Sequence, residues 1–199
     1  MAIRHSKVLR LLLFAQVGAI LLTGCNRGDT PKPRGYYRIE FPKKEYRLLD
    51  TIYPYKFMYP VYGRVIPDTH RDAHKYWTNV DFPQFKARIH LSYYNSPHLL
   101  DSLMEDSRTL AYKHTVRADA IAERFYSNTQ NRVYGILYQI KGNAASSWQF
   151  FVTDSVRHFL RGALYFSVTP NKDSLQPVSQ FFQEDMVKLI ETLEWKDIK

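Results

Sequence analysis

Several groups of residues in this 199-residue chain carry side chains able to do chemistry. The only cysteine, Cys25, places a nucleophilic thiol directly after Leu22-Thr23-Gly24. Asp68, His70, Asp72 and His74 alternate along a short stretch and offer oxygen and nitrogen donors suited to zinc or a similar divalent ion. Arg71 and Lys75 stand inside that stretch and repel a cation, so His70 and His74 are weak ligand candidates and no metal is expected. Gly142-Asn143-Ala144-Ala145-Ser146-Ser147 lacks the G-x-S-x-G spacing and leads from strand to strand, which argues against a nucleophile elbow. Its small residues let another chain approach, making Asn143, Ser146 and Ser147 partner-contact candidates against the simpler reading of a tight turn. In the polar strip Gln149, Thr153, Asp154, Arg157, His158 and Arg161, the two arginines suit acidic groups on a partner protein. Hairpin solvation and pairing with Asp154 is the competing reading. Asp106 and Arg108 are two apart on a predicted helix and diverge, whereas His114 falls on its apolar stripe as a core histidine. No catalytic residue, no cofactor and no small-molecule substrate is expected.

The elements that position the thiol come first along the chain. Arg4, Lys7 and Arg10, the apolar run Leu11 to Leu22 and the small pair Thr23-Gly24 make the three-part layout of a secretory signal peptide. The run is too short to stay as a span, which takes about 20 apolar residues. The string ending at Cys25 resembles the lipobox of bacterial lipoproteins, whose thiol accepts diacylglycerol before cleavage in front of it. Other readings are an ordinary signal peptide near a free thiol, or a buried cysteine in a chain that is never exported. The lipobox predicts a signal peptide over 1–24, a lipidated cysteine with a proline-rich basic tether over 25–35, and one domain over 36–199. Thr30-Pro31-Lys32-Pro33-Arg34 makes the tether a stiff spacer, and segment 26–34 reaches roughly 30 Å when extended. The chain is thus expected to meet a membrane through the lipid on Cys25.

Aromatic residues form 15% of the sequence, enough for a packed core rather than a disordered chain. The formal net charge of +9 would suit nucleic acid, an anionic membrane or an acidic partner. A signal peptide and the lack of zinc-finger, RNP or basic-zipper patterns argue against nucleic acid. Lys32, Arg34, Arg38, Lys43, Lys44 and Arg47 crowd the stretch after Cys25, where they either touch lipid headgroups or keep a tether solvated.

Further along, Gly35 to Phe41 alternates and predicts a first strand stopped by Pro42. Lys56 to Tyr59, Arg64 to Ile66 and Tyr76 to Phe82 are short strand candidates. In Lys86 to Tyr94, Ala87, Ile89, Leu91 and Tyr93 face one way, and Arg88, His90, Ser92 and Tyr94 face water. Ser96-Pro97 predicts a capped helix start, with a stripe from Leu99 to His114 and an end near Val116. Two hairpins follow, Ala120–Tyr126 with Val133–Ile140 and Trp148–Thr153 with Phe159–Val168. A last amphipathic helix after Pro170 ends near Trp195. This order predicts an α+β domain, an antiparallel β-sheet packed by helices, similar to the PsbP/Mog1 kind of α-β-α sandwich.

Longer strings carry a more specific likeness. Thr30 to Ile39, Glu105 to Val116, Lys141 to Ser147 and Phe159 to Phe166 together resemble the gliding-motility lipoprotein GldD family over the whole chain after Cys25. The Asp68 to Tyr76 loop matches least. The resemblance implies a cell-envelope lipoprotein acting in gliding motility and the associated type IX secretion machinery as a non-catalytic assembly or scaffold component. Its expected partners are other gliding and secretion envelope proteins, and its expected place is the periplasmic side of the outer membrane. A rival of another class is a lipid-anchored hydrolase or ligand-binding protein acting on envelope material.

Overall fold

The alternation of apolar and polar residues builds most of the molecule, seen in a computed structural model that describes residues 38–197. The expected signal peptide over 1–24 and tether over 25–35, Cys25 included, lie outside the described residues, as do Tyr36 and Tyr37. Strand β1 is Tyr46–Leu49, β2 Tyr55–Pro60, β3 Arg64–Pro67, β4 Thr78–Phe82 and β5 Ala87–Asn95. Helix α1 (Leu100–Tyr112) continues into a 3-10 turn over Lys113–Val116. Then come β6 (Ala118–Asn128), β7 (Val133–Gly142), β8 (Ser146–Thr153), β9 (His158–Phe166), α2 (Lys172–Glu191) and β10 (Glu194–Trp195). Among the described residues this is a mixed α+β fold with antiparallel sheets, as the element order predicts.

The larger sheet runs β3-β4-β5-β9-β8-β7-β6, and a smaller one runs β1-β2-β10. On one face of the large sheet, Ile89, Leu91, Phe150, Leu160 and Leu164 share a core with Tyr55 and Phe57 of β2 and Phe182, Met186 and Leu189 of α2. Each such fully buried side chain contributes about 1.5–3 kcal/mol. Gly162 is required in that layer, because a Cβ there would stand 2.1 Å from the Phe150 ring. On the other face, Leu100 and Ala111 of α1 cover Tyr138, Phe151 and Phe159. No helix among the described residues is long and apolar enough to cross a membrane.

Four expectations are corrected. Arg38 to Phe41 form no strand, because Phe41 instead stacks on Phe181 of α2 at 4.4 Å between centroids. Ser96-Pro97 does not begin the helix. The Ser96 amide donates to the Arg157 carbonyl at 3.0 Å, which ties this segment to the β8–β9 turn, so α1 starts at Leu100 without a side-chain cap. Arg88, His90, Ser92 and Tyr94 are half-buried rather than wet, with Tyr94 packed against the core under α1. The last helix ends at Glu191, where Thr192 accepts the Met58 amide at 2.9 Å and hands the chain to β10 for pairing with β2.

Candidate functional site

The predicted polar strip runs from β8 through the β8–β9 turn into β9, and Gln149, Thr153, Asp154 and His158 of it are buried. Asp154 is 6% exposed, and one carboxylate oxygen accepts the backbone N–H groups of Val156, Arg157 and His158 at 2.8–2.9 Å. Burial works against this carboxylate, but the three amides outweigh it and hold its pKa below the usual range. Ser155 takes a left-handed φ of 62° inside that loop, and its amide donates to Thr153. The His158 ring lies on Trp195 with centroids 5.1 Å apart. Arg157 Nε donates to His158 Nε2 at 3.3 Å, so Nδ1 carries the ring proton and donates to the Tyr93 hydroxyl at 2.6 Å. Burial pushes the His158 pKa down, which keeps the ring neutral. Nδ1 thus ties β9 to β5, the neighbouring Arg157 occupies Nε2, and the ring face packs on β10.

Arg157 reaches outward to Asp197 at 2.7 Å and borders a hollow of about 390 Å³ with Arg132, Trp195 and Lys196. Its side chain is on the surface, as a partner contact requires. Arg161 is not an edge residue. Its Nη2 donates to Gln149 Oε1 at 2.8 Å, Gln149 is buried, and burial lowers the guanidinium pKa. The strip therefore splits: Arg157 is reachable, while Arg161 belongs to the interior layer on the α1 face.

The Gly142 to Ser147 loop splits in the same way. Gly142 has φ 115°, and a Cβ there would meet the Asp119 amide nitrogen at 2.6 Å, so the residue must be glycine. Asn143 is exposed and held from both sides: its amide donates to the Arg117 carbonyl at 3.1 Å, and its side-chain oxygen accepts the Lys172 amide at 2.8 Å. Ser146 is fully buried and its hydroxyl donates to the Trp148 carbonyl at 3.3 Å, which corrects its reading as a contact. Ser147 is half-buried and borders a groove of about 270 Å³ with Lys141, Lys172, Gln176, Ser179 and Gln180.

The Asp68 to His74 stretch does not gather into a metal site. Asp68 accepts the His70 amide at 2.9 Å, and His74 packs its ring against Trp77 and Tyr94 at 5.1 and 5.5 Å. Among the described residues no three His, Cys, Asp or Glu side chains are placed to hold a cation. His114 is half-buried on the α1 side, and burial lowers its pKa.

One polar cluster went unforeseen. Asp185 of α2 is 1% exposed and accepts Lys44 Nζ at 2.7 Å, the Tyr62 hydroxyl at 2.5 Å and the Tyr46 hydroxyl at 2.9 Å. Lys44 also donates to the Phe181 carbonyl at 2.7 Å and lies 3.4 Å from the Phe181 ring centroid. Burial raises the Asp185 pKa and lowers that of Lys44. It also drives the Tyr46 and Tyr62 phenols well up. The sequence did hold a signal, since Asp185 falls on the apolar stripe with Phe181, Phe182, Met186 and Leu189.

No curated protein matches the chain. The solution structure of cyanobacterial PsbP from Synechocystis is similar at 12% identity and a TM-score of 0.45, covering 80% of this chain and 98% of that one. The model of the family described as "Gliding motility lipoprotein GldD" matches residues 26–195.

Proposed function

Because the chain belongs to the family of gliding motility lipoproteins called GldD, we propose that it serves as a non-catalytic assembly component linking gliding to the type IX secretion machinery. Lipid on Cys25 holds it to the envelope, at the periplasmic side of the outer membrane, and the short tether keeps its body near that surface. The partners are other envelope proteins of the gliding and secretion apparatus. The observation that carries this reading is the Asn143 loop. Asn143 is exposed there yet fixed by bonds to Arg117 and to the first turn of α2, so a partner meets it without ordering cost. Supporting it, the His158, Asp154 and Asp185 side chains, which would be the natural acid–base groups, are engaged in holding strands and helix together.

Asn143, Ser147 and Arg157 are the contact residues of this reading. Arg161 is left out of the test, since its replacement would unsettle the interior. The full-length protein bearing Asn143→Arg, Ser147→Arg and Arg157→Glu is expected to fold and reach the envelope but to lose co-purification with motility and secretion proteins, and gliding with it. Normal gliding and secretion by that variant would reject the contact surface. A Cys25→Ser chain is expected to fold but to leave the membrane fraction, and normal gliding by it would reject the lipid anchor.

A further inference from the structure

The seven-stranded sheet ends differently at its two edges. Edge strands present unpaired N–H and C=O groups, which natural sequences protect by shortness, proline or charge. β3 follows that rule, with four residues closing on Pro67. β6 is longer and has no proline: it has eleven residues, charges at Asp119, Glu123 and Arg124, a register irregularity between Ala118 and Ala120, and pairs with β7 alone among the described residues. Ala120, Ala122, Glu123, Arg124, Phe125 and Ser127 are exposed along it, and Phe125 is 73% exposed.

We propose that β6 pairs antiparallel with β6 of a second copy of this chain, about a two-fold axis normal to the sheet at Phe125. Such an axis leaves every residue on its own face, and residues opposite one another in an antiparallel pair share a face. Opposed positions must then share parity, which leaves few registers. An axis at Glu123 opposes two carboxylates, and one at Arg124 opposes two guanidinium groups. At Ala122 it sets Glu123 against Ile121 and Arg124 against Ala120, while at Tyr126 it leaves Phe125 facing Ser127. At Phe125 the two rings meet, Glu123 faces Ser127, and Arg124 faces Tyr126. Aromatic and hydrogen-bonding pairs of this kind are favourable, whereas directly opposed like charges destabilise.

The receiving surface suits that register. Tyr126 shares a hollow of about 540 Å³ with Ile190 and Glu191 at the end of α2. Arg124 already lies 4.9 Å from the Tyr126 ring centroid of its own chain. A guanidinium arriving from the second copy meets a ring face and a carboxylate there. This pairing uses a surface separate from the Asn143 loop and Arg157, so it stands or falls independently of the proposed role.

The test is cross-linking of the full-length protein in detergent. Residues opposed on the axis have Cα atoms about 4.5–5.5 Å apart, within the span of a disulfide. Mild oxidation of Phe125→Cys is therefore expected to give a reducible species of doubled mass. Val116→Cys, 90% exposed but off the strand, is expected to keep the parent's mass. Glu123→Cys with Ser127→Cys retains the ring pair and is expected to dimerise in the same way. Phe125→Lys, which sets two ammonium groups on the axis, is expected to halve the sedimenting mass. The proposal is overturned by a monomeric parent protein, by equal cross-linking at Val116→Cys, or by Phe125→Cys linking to a different protein in whole envelopes.

Discussion

The turn around Asp154 and the cluster around Asp185 both bury a carboxylate, but they draw its partners from very different distances. Asp154 is satisfied by amides at Val156, Arg157 and His158, so its network is complete once one hairpin forms. Asp185 is satisfied by Lys44, Tyr46 and Tyr62, from the opposite end of the body. It closes only when the segment from Phe41 to Tyr46 lies against α2, with Phe41 stacked on Phe181. A carboxylate capping its own turn fixes local shape. A carboxylate bonded across the fold fixes where the segment holding Lys44 and Tyr46 lies against α2. The first cluster uses hydrogen bonds from neutral amides and the second a charge pair, and this difference sets how each responds to mutation and to pH.

The largest effect that would break this contrast is expected from Asp185→Ala. It leaves the Lys44 ammonium without its counter-charge and two phenols without an acceptor, a loss of about 3–5 kcal/mol. Urea unfolding of the full-length protein measures it, and a change below about 1 kcal/mol would mean that the segment is not bound through this residue. Asp154→Ala should follow at about 2 kcal/mol, since buried amides lose their acceptor. Asp154→Asn keeps the accepting oxygen and is expected to cost clearly less by the same measurement.

Acid should separate the clusters further. Burial lowers the folded pKa of His158, and likewise those of His90 and His114, below the ordinary value of about 6.5. The unfolded chain then binds more protons, so stability is lost as pH falls from about 7 towards these folded values. Asp154 adds to that loss further down, as pH drops below about 4 towards its own lowered value. Asp185 runs the other way: its raised pKa makes the folded chain the better proton binder, so its contribution weakens as pH rises from about 4 through that folded value. Urea midpoints between pH 8 and 5 are expected to fall with acid, and to fall less in His158→Gln. A midpoint that rises on acidification would contradict the buried neutral histidines. The smallest effect is expected at Arg157→Ala. Its ion-pair partner Asp197 is 92% exposed, so the change should stay within about 0.5 kcal/mol. A larger loss would show that Arg157 holds His158 in place rather than awaiting a partner.

Much of the fold was legible because period-two patterning survives wherever one sheet face is dry. Both predicted hairpins appear, and Ala87, Ile89, Leu91 and Tyr93 all point into the core. Local signals failed where tertiary bonds outbid them. Ser96-Pro97 has a capping pattern, yet the Ser96 amide is committed to Arg157, a residue on another hairpin. Arg38 to Phe41 alternates like a strand, yet Phe41 finds a ring on α2. In the candidate site, Asn143 is exposed and Ser146 is buried, while the half-buried Arg157 reaches Asp197 and the half-buried Arg161 donates to the buried Gln149. A serine or arginine on a strand does not reveal which face a helix will cover.

The sequence by itself determined the alternating strands, the two amphipathic helices and the strings that place this chain among the gliding motility lipoproteins. All of these are written in contiguous residues, where a period of 2 or 3.6 or a fixed motif suffices. Only the tertiary structure decided that Asp185 would meet Lys44, that Arg161 would lie beneath α1, and that β6 rather than β3 would be the long open edge. Those outcomes depend on which faces come together, because burial removes a charged group from water and makes a partner far along the chain a physical requirement.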